Sequence, residues 1–351
     1  MSKPTFFDMF AGVGGFRLAF QWEGFEPIGW CEIDKWCRKL YRYYYKPDGE
    51  YFKADILTID PHELPDFDVI TAGAPCQPFS VARTDRQGLR DYRGLPLWKK
   101  LFEIIKVKRP KVVVIENVKG LLSSNRGWDF AYILHKMDKI GYDVEWDVLN
   151  SKDFGVPQNR ERVFVIGHLR GESRPEVFPL EEADRVYYEL CKKGKQHEED
   201  EVILYSPYNN SFNNLAYCLS TKSGSPLNVA GQLVVQWRRN YLRVFKEQDV
   251  SLTLTANMGT GGLNMPLLIE DVENIKVRKL TPLECFRLQG FPDDIVHMAR
   301  KLGISDSQLY KMAGNAVTVP VAQSIARKIR KVVFSSDFKR RRGDSEWLNI
   351  L

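Results

Sequence analysis

Thr5-Phe6-Phe7-Asp8-Met9-Phe10-Ala11-Gly12-Val13-Gly14-Gly15-Phe16 is the stretch that decides the fold. Pro4 to Phe10 is an apolar, β-prone run, Gly12 to Gly15 is a glycine turn, and Phe16 to Trp22 reads as a helix. Strand, glycine turn and helix together open a nucleotide-binding βαβ unit. A second strand, Pro27 to Cys31, ends at Glu32 and Asp34. Glu32 stands 20 positions after Gly12, where an acceptor for a ribose hydroxyl belongs. The glycines are spaced G-x-G-G, unlike the G-x-G-x-x-G of a pyrophosphate site. That departure favours a ligand with a ribose and no phosphate, of which S-adenosylmethionine is the commonest. Its sulfonium is cationic, and a carboxylate such as Asp8 nearby would suit it.

Outward from this unit, strand and helix patterns alternate. Lys35 to Tyr45 reads as a helix and Asp68 to Ala72 as a strand. Leu97, Leu101, Ile104 and Ile105 form the stripe of an amphipathic helix. Lys111 to Ile115 is a near-continuous apolar run, as expected of a strand covered on both faces. Phe130 to Ile140 makes a further helical stripe, and Tyr142 to Leu149 and Arg162 to Ile166 read as strands. The pattern predicts an α/β, doubly wound, mostly parallel sheet. After about Leu169 the chain becomes rich in Asn, Ser, Thr and Gly, with short β-prone runs such as Val234 to Trp237 and Ser251 to Thr255. Helices return from Thr281. The predicted organisation is a catalytic unit over 1–170, a smaller strand-and-loop unit over 171–313, and a C-terminal segment, 314–351, that returns to the first.

Cys76 lies in Gly73-Ala74-Pro75-Cys76-Gln77-Pro78-Phe79-Ser80, directly after the strand Asp68 to Ala72. Pro75 and Pro78 stop that strand from continuing, because proline fixes φ and lacks an amide donor. The thiol is thereby carried on a loop beyond a strand's carboxyl end, where open α/β sheets keep their ligands. A buried, inert cysteine is the bland alternative. Glu116-Asn117-Val118 closes the apolar strand Lys111 to Ile115, and a carboxylate there could donate a proton near Cys76. Arg160 and Arg162, at i and i+2 at the start of a strand, point to one face and could grip a carboxylate or a base edge.

Taken in order, these motifs resemble those of the DNA cytosine-5 methyltransferases. They are Phe10 to Phe16, Glu32-Ile33-Asp34, Asp55-Ile56, Pro75 to Ser80, Glu116-Asn117-Val118 and Gln158-Asn159-Arg160-Glu161-Arg162. Arg278 to Pro282, Gln289-Gly290-Phe291-Pro292 and Gly314-Asn315-Ala316-Val317 complete the set. The resemblance implies that Cys76, as thiolate, attacks C6 of a cytosine. Glu116 then engages N3, and C5 takes the methyl group of S-adenosylmethionine. Arg160 and Arg162 would hold the cytosine and its surroundings, and the family pattern gives Arg162 the alternative of orienting Glu116. The base would have to leave the duplex to be reached. By the same resemblance Phe10, Gly12, Gly14, Gly15, Glu32, Ile33, Asp55, Ile56, Leu97 and Asn315 would form the cofactor pocket. Ser80, Arg83, Arg86, Arg90 and Arg93 lie in a stretch that resembles the family's mobile DNA-closing loop. The 171–313 unit takes the place of the target-recognition domain. There Arg238, Arg239 and Thr253 are the candidates for DNA contact, Thr253-Leu254 resembling a short element of that domain.

The 351 residues are 44% hydrophobic and 27% charged, with net charge +6 and no apolar run of transmembrane length. No signal peptide opens the chain, so a cytoplasmic, prokaryotic or phage-encoded enzyme is expected. Six cysteines without metal-ligand spacing are expected to be free thiols, with no metal. Duplex DNA is the expected partner, a cognate restriction endonuclease a separate one, and the monomer the expected state. Two rival readings stand beside this one. A tRNA cytosine-5 methyltransferase would keep the chemistry and change the substrate. A catalytically silent DNA-binding relative would have lost Cys76 or Glu116, both of which are present.

Overall fold

The computed structural model describes residues 3–75, 94–171, 175–185 and 280–335 with their side chains, together with Thr253, Leu254 and Ala256. Of the short strands between 203 and 279 it describes the backbone. Strand β1 (Thr5–Met9) is almost wholly buried inside a seven-stranded sheet. The other strands are β2 (Glu26–Cys31), β3 (Tyr51–Lys53), β4 (Val69–Gly73), β5 (Val112–Val118), β6 (Tyr142–Asn150) and, after the short β7 (Gln158–Asn159), β8 (Glu161–Leu169). Their order is β3-β2-β1-β4-β5-β8-β6. The first five strands are parallel, while β8 runs antiparallel to both β5 and β6. The chain reverses its direction of winding between β1 and β4. A crevice therefore opens beyond their carboxyl ends, the usual ligand position in such sheets.

Alternation along β1 feeds two cores. Phe6 faces one shared with helix α1 (Gly15–Trp22), and Phe7 and Met9 face the other, shared with α3 (Leu95–Lys108) and α4 (Trp128–Lys139). Helix α2 (Lys35–Tyr45) starts at Asp34, whose carboxylate accepts from the amides of Trp36 and Cys37. The Asp34 carboxyl is held below its usual range: burial pulls it upward, but the Lys311 ammonium at 2.6 Å and those amides outweigh it.

Between 203 and 279 the backbone forms β9 (Ile203–Ser206), β10 (Ser211–Asn213), β11 (Val234–Arg238), β12 (Tyr241–Phe245), β13 (Ser251–Leu252), β14 (Pro266–Asp271) and β15 (Lys276–Lys279). Four of them make a sheet of order β12-β11-β14-β15. The smaller unit does not reach residue 313, where the sequence reading ended it. Helices α5 (Pro282–Arg287), α6 (Asp293–Lys301) and α7 (Asp306–Asn315) bury Phe286, Ile295, Leu309 and Met312 in the same core as Phe6, Phe16 and Phe20. Helix α8 (Val319–Val333) closes that core against α1. A capping box at Thr281 and Glu284 marks where the chain returns.

Candidate active site

The glycine turn is built by its conformation. Phe10, Gly12 and Gly14 have φ of 57°, 56° and 86°, a region that side chains disfavour. Glu32, at the end of the neighbouring strand, holds the turn in place. Its carboxylate accepts from the amide of Gly12 at 2.7 Å and from that of Asp34 at 2.6 Å. Burial still raises its carboxyl above the ordinary range. A Cβ on Gly12 would meet nothing within 4 Å among the described residues, which leave the turn open there. One on Gly15 would lie 2.5 Å from Val317 Cγ1 and 2.8 Å from its carbonyl, so the turn and the 314–317 segment are in direct contact.

Of the other expected cofactor residues, Phe10, Ile33, Asp55 and Ile56 follow the carboxyl ends of β1, β2 and β3, while Leu97 lies in α3 and Asn315 ends α7. Ile33 is 68% exposed, an apolar side chain on the rim of the crevice. Asp55 accepts from the Leu57 amide at 2.9 Å and starts a short 3-10 turn. Ile56 is buried in the core, so its main chain is what it offers a ligand. Phe10 and Leu97 pack, partly buried, against that same core. Asn315 is exposed at the end of α7. Asp8 is fully buried beneath, with Thr71 donating to Oδ1 at 2.9 Å and no partner at Oδ2 among the described residues. Burial raises its carboxyl to about 7. A cavity of about 800 Å³ lies elsewhere, lined by α1 and the starts of β2 and β3 and carrying Glu26, Asp48, Glu50 and Glu63.

On the other side of the crevice stands Glu116. It lies inside β5, which continues to Val118, and does not close the strand as the sequence suggested. Its cross-strand neighbours are Gly73 and Phe164. Its carboxyl is raised by burial, against the lowering effect of the Arg162 and Arg160 guanidiniums. Arg162 Nε sits 3.1 Å from Glu116 Oε1, an ion pair of the kind that orienting Glu116 would need. Asn117, buried beside it, donates from Nδ2 to the carbonyl of Ala74 at 3.2 Å and accepts from the Val118 amide at 2.9 Å. That bond fixes the residues immediately before Cys76 to the strand that carries Glu116. Sequence reasoning gave Asn117 no role, although an amide at the end of an otherwise apolar strand is itself a signal.

Arg160 departs from the sequence expectation. It is 3% exposed, and its guanidinium donates to the carbonyls of Leu254 at 3.1 Å, Gly314 at 3.1 Å and Ala316 at 2.8 Å. These three main-chain carbonyls tie the guanidinium to the chain, a use that the sequence did not indicate. Gln158 works beside it, donating to Leu288 O at 2.7 Å and accepting from the Leu254 amide at 3.0 Å. Thr253, expected at DNA, donates its hydroxyl to Asn159 O at 2.6 Å, and β13 pairs with β7. Its hydroxyl docks the segment that follows β13 onto β7.

The sequence profile of the C-5 cytosine-specific DNA methylases matches residues 4–331. The chain belongs to that family. This methyltransferase is similar to the Type II methyltransferase M.Bsp6I of Bacillus sp. (strain RFL6), 36% identical over 333 residues, covering 92% of this chain and 97% of that one. It is 36% identical over 327 residues to the Type II methyltransferase M.NgoBI of Neisseria gonorrhoeae, covering 93% of each. The crystal structure of S. pombe Dnmt2 methyltransferase has the same fold, with a TM-score of 0.63, 17% identity, and coverage of 95% of this chain and 100% of that one. The enzyme is a DNA cytosine-5 methyltransferase with a Rossmann-like sheet.

Of the remaining expected residues, Cys76, Ser80, Arg83, Arg86, Arg90, Arg93 and Arg239 lie outside the described residues, and Arg238 is described by its backbone at the end of β11. The methyltransferase's described cysteines are unsuited to be nucleophiles. Burial pushes the Cys31 thiol up to about 12 and those of Cys37 and Cys285 well above their ordinary value.

Proposed function

We propose that this methyltransferase methylates C5 of one cytosine within a short sequence of duplex DNA, with Cys76 as nucleophile and S-adenosylmethionine as methyl donor. The observation that carries the reading is the pairing of Glu116 with Arg162 beside an Ala74–Pro75 segment that Asn117 ties to the same strand. The Cys76 thiolate adds to C6 of a flipped-out cytosine. Glu116, whose carboxyl is raised, gives a proton to N3, so that the electron pair pushed in at C6 reaches C5. S-adenosylmethionine supplies an electrophilic methyl group for C5. A base then takes the C5 proton, the electron pair that it leaves re-forms the C5–C6 double bond and expels the Cys76 thiolate, and N3 gives its proton back to Glu116.

The residues present fit the donor. Glu32 fixes the turn, Phe10 and Ile33 offer apolar surface, the buried Asp8 lies beneath, and open space faces Gly12. Asp55, Ile56, Leu97 and Asn315 complete the pocket. Ser80, Arg83, Arg86, Arg90 and Arg93 contact phosphates, and the strands between 203 and 279, with Arg238 and Arg239, read the target. The Type II relatives support a role in a restriction–modification system. On the same reading the enzyme is prokaryotic or phage-encoded and works in the cytoplasm as a monomer beside a separately acting endonuclease. Bisulfite sequencing of unmethylated duplex DNA treated with enzyme and donor tests the reading. Protection of one short sequence context, lost in Cys76→Ser, is the expected result. Transfer to tRNA and not to DNA, or transfer to neither, would overturn it.

A further inference from the structure

We propose that Arg160 is a positioning residue that ties the cofactor edge at Asn315 to the recognition element at Leu254. This rests on the proposed place of Asn315 in the cofactor pocket. The two carbonyls that Arg160 Nη2 reaches, those of Gly314 and Ala316, flank Asn315 on either side. The other arm, Nη1, reaches Leu254 O. A guanidinium is planar and rigid, so bonds at both arms set the spacing between the two segments. An ammonium is a single point and cannot span them in the same way.

Neighbouring positions support the assignment. Gln158, two residues earlier and fully buried, takes the Leu254 amide and donates to Leu288 O. Both main-chain groups of Leu254 are therefore held by the segment that leads into β8. Two residues later, Arg162 reaches Glu116. One short run thus touches the recognition element, the cofactor edge and the catalytic acid. Among the described residues, the charged groups that face Glu116 are Arg162 and Arg160, its cross-strand neighbours Gly73 and Phe164 being uncharged. Arg160 consequently acts on the acid by charge and on Asn315 by geometry, and two substitutions separate these effects.

Arg160→Lys keeps the charge and loses the fork, whereas Arg160→Gln loses both. Calorimetric titration of the full chain with S-adenosylhomocysteine, without DNA, should show both variants binding about ten- to a hundred-fold more weakly, the effect of losing a charge-assisted hydrogen bond. The pH profile of kcat should stay in place for Arg160→Lys. For Arg160→Gln its alkaline limb should move to higher pH, because the charge that favours ionised Glu116 is gone. Unchanged S-adenosylhomocysteine affinity with a raised KM for DNA would put the guanidinium on the base and overturn the assignment. If neither variant folds, hydrogen exchange on the wild type decides. S-adenosylhomocysteine alone should slow exchange at Leu252 to Leu254 as well as at Gly314 to Ala316, and protection confined to the latter would refute the tie. A wild type that binds no S-adenosylhomocysteine refutes the cofactor reading itself, and this inference with it.

Discussion

Replacing Asn117 by leucine tests whether the catalytic loop is held from β5. Leucine shares asparagine's branched shape, is bulkier, and has neither donor nor acceptor. It would leave the Ala74 carbonyl and the Val118 amide without their partners at 3.2 and 2.9 Å. A buried polar group left unpaired costs about 1–3 kcal/mol, and Val118 is only partly buried, so a total of about 2–4 kcal/mol is expected. The kinetic consequence is larger. With Ala74 untied, Pro75 and Cys76 are free to shift relative to Glu116, and a displacement of about 1 Å at a reacting group costs about a hundred-fold in rate. Urea unfolding measures the first effect. Single-turnover methyl transfer, with DNA and donor both saturating, measures the second. A folded variant whose single-turnover rate matches the wild type would refute the argument, since the bond would then stabilise the fold without placing the nucleophile.

Other outcomes follow from the same geometry. Burial lifts the Asp8 carboxyl from 3.8 to about 7, so the folded state holds this proton more tightly than the unfolded chain does. Stability from this group therefore falls as pH rises through that window, and Asp8→Asn should relieve at most about 4 kcal/mol above it and nothing below it, as read by denaturation at both ends. Gly15→Ala would drive a methyl to 2.5 Å from Val317 Cγ1 and 2.8 Å from its carbonyl. It should cost about 1–3 kcal/mol by thermal melting and weaken S-adenosylhomocysteine binding by calorimetry. Lys328→Ala removes the ammonium 2.7 Å from Asp184, a carboxylate that is 1% exposed. Lys331 still pairs with Asp184 at 3.1 Å, so the variant should lose only about 1.5–3 kcal/mol in urea, the worth of one charge-assisted hydrogen bond, and keep the methyl-transfer rate of the folded enzyme.

The first βαβ unit was legible because hydrophobic period and glycine placement coincide there. Lys35–Tyr45 is a helix over the same residues that the sequence pattern marked. The end of β5 was not legible, since Glu116 and Asn117 look like loop residues when only polarity is considered. Their place in the strand depends on pairing with Phe164 and Val163 of β8, far along the chain. The antiparallel setting of β8 was hidden for the same reason: an apolar strand reads alike in either direction. The contacts of Arg160 and Thr253 were not legible because their partners are main-chain carbonyls. Every residue has a carbonyl, so no composition or spacing reveals which one an arginine will reach. The return of the chain to the catalytic core at Pro282 was obscured in turn, because helices α5 to α7 bury their apolar stripes against Phe6, Phe16 and Phe20 from the opposite end of the sequence.

The packing of α1 against α8 bears on how the enzyme is made. Glu23, just beyond α1, accepts from Gln323 and pairs with Arg327, residues some 300 positions later. A nascent chain that already carries the glycine turn, Cys76 and Glu116 still lacks the wall that shuts the core over Phe16 and Phe20. The strands between 203 and 279 emerge from the ribosome before that core is closed. Contacts so distant in sequence are slow to form and leave apolar surface open in the meantime. Loss of the last helix should therefore cripple the enzyme at the stage of synthesis, as insoluble chains, even though the residues assigned to the chemistry all lie upstream of it.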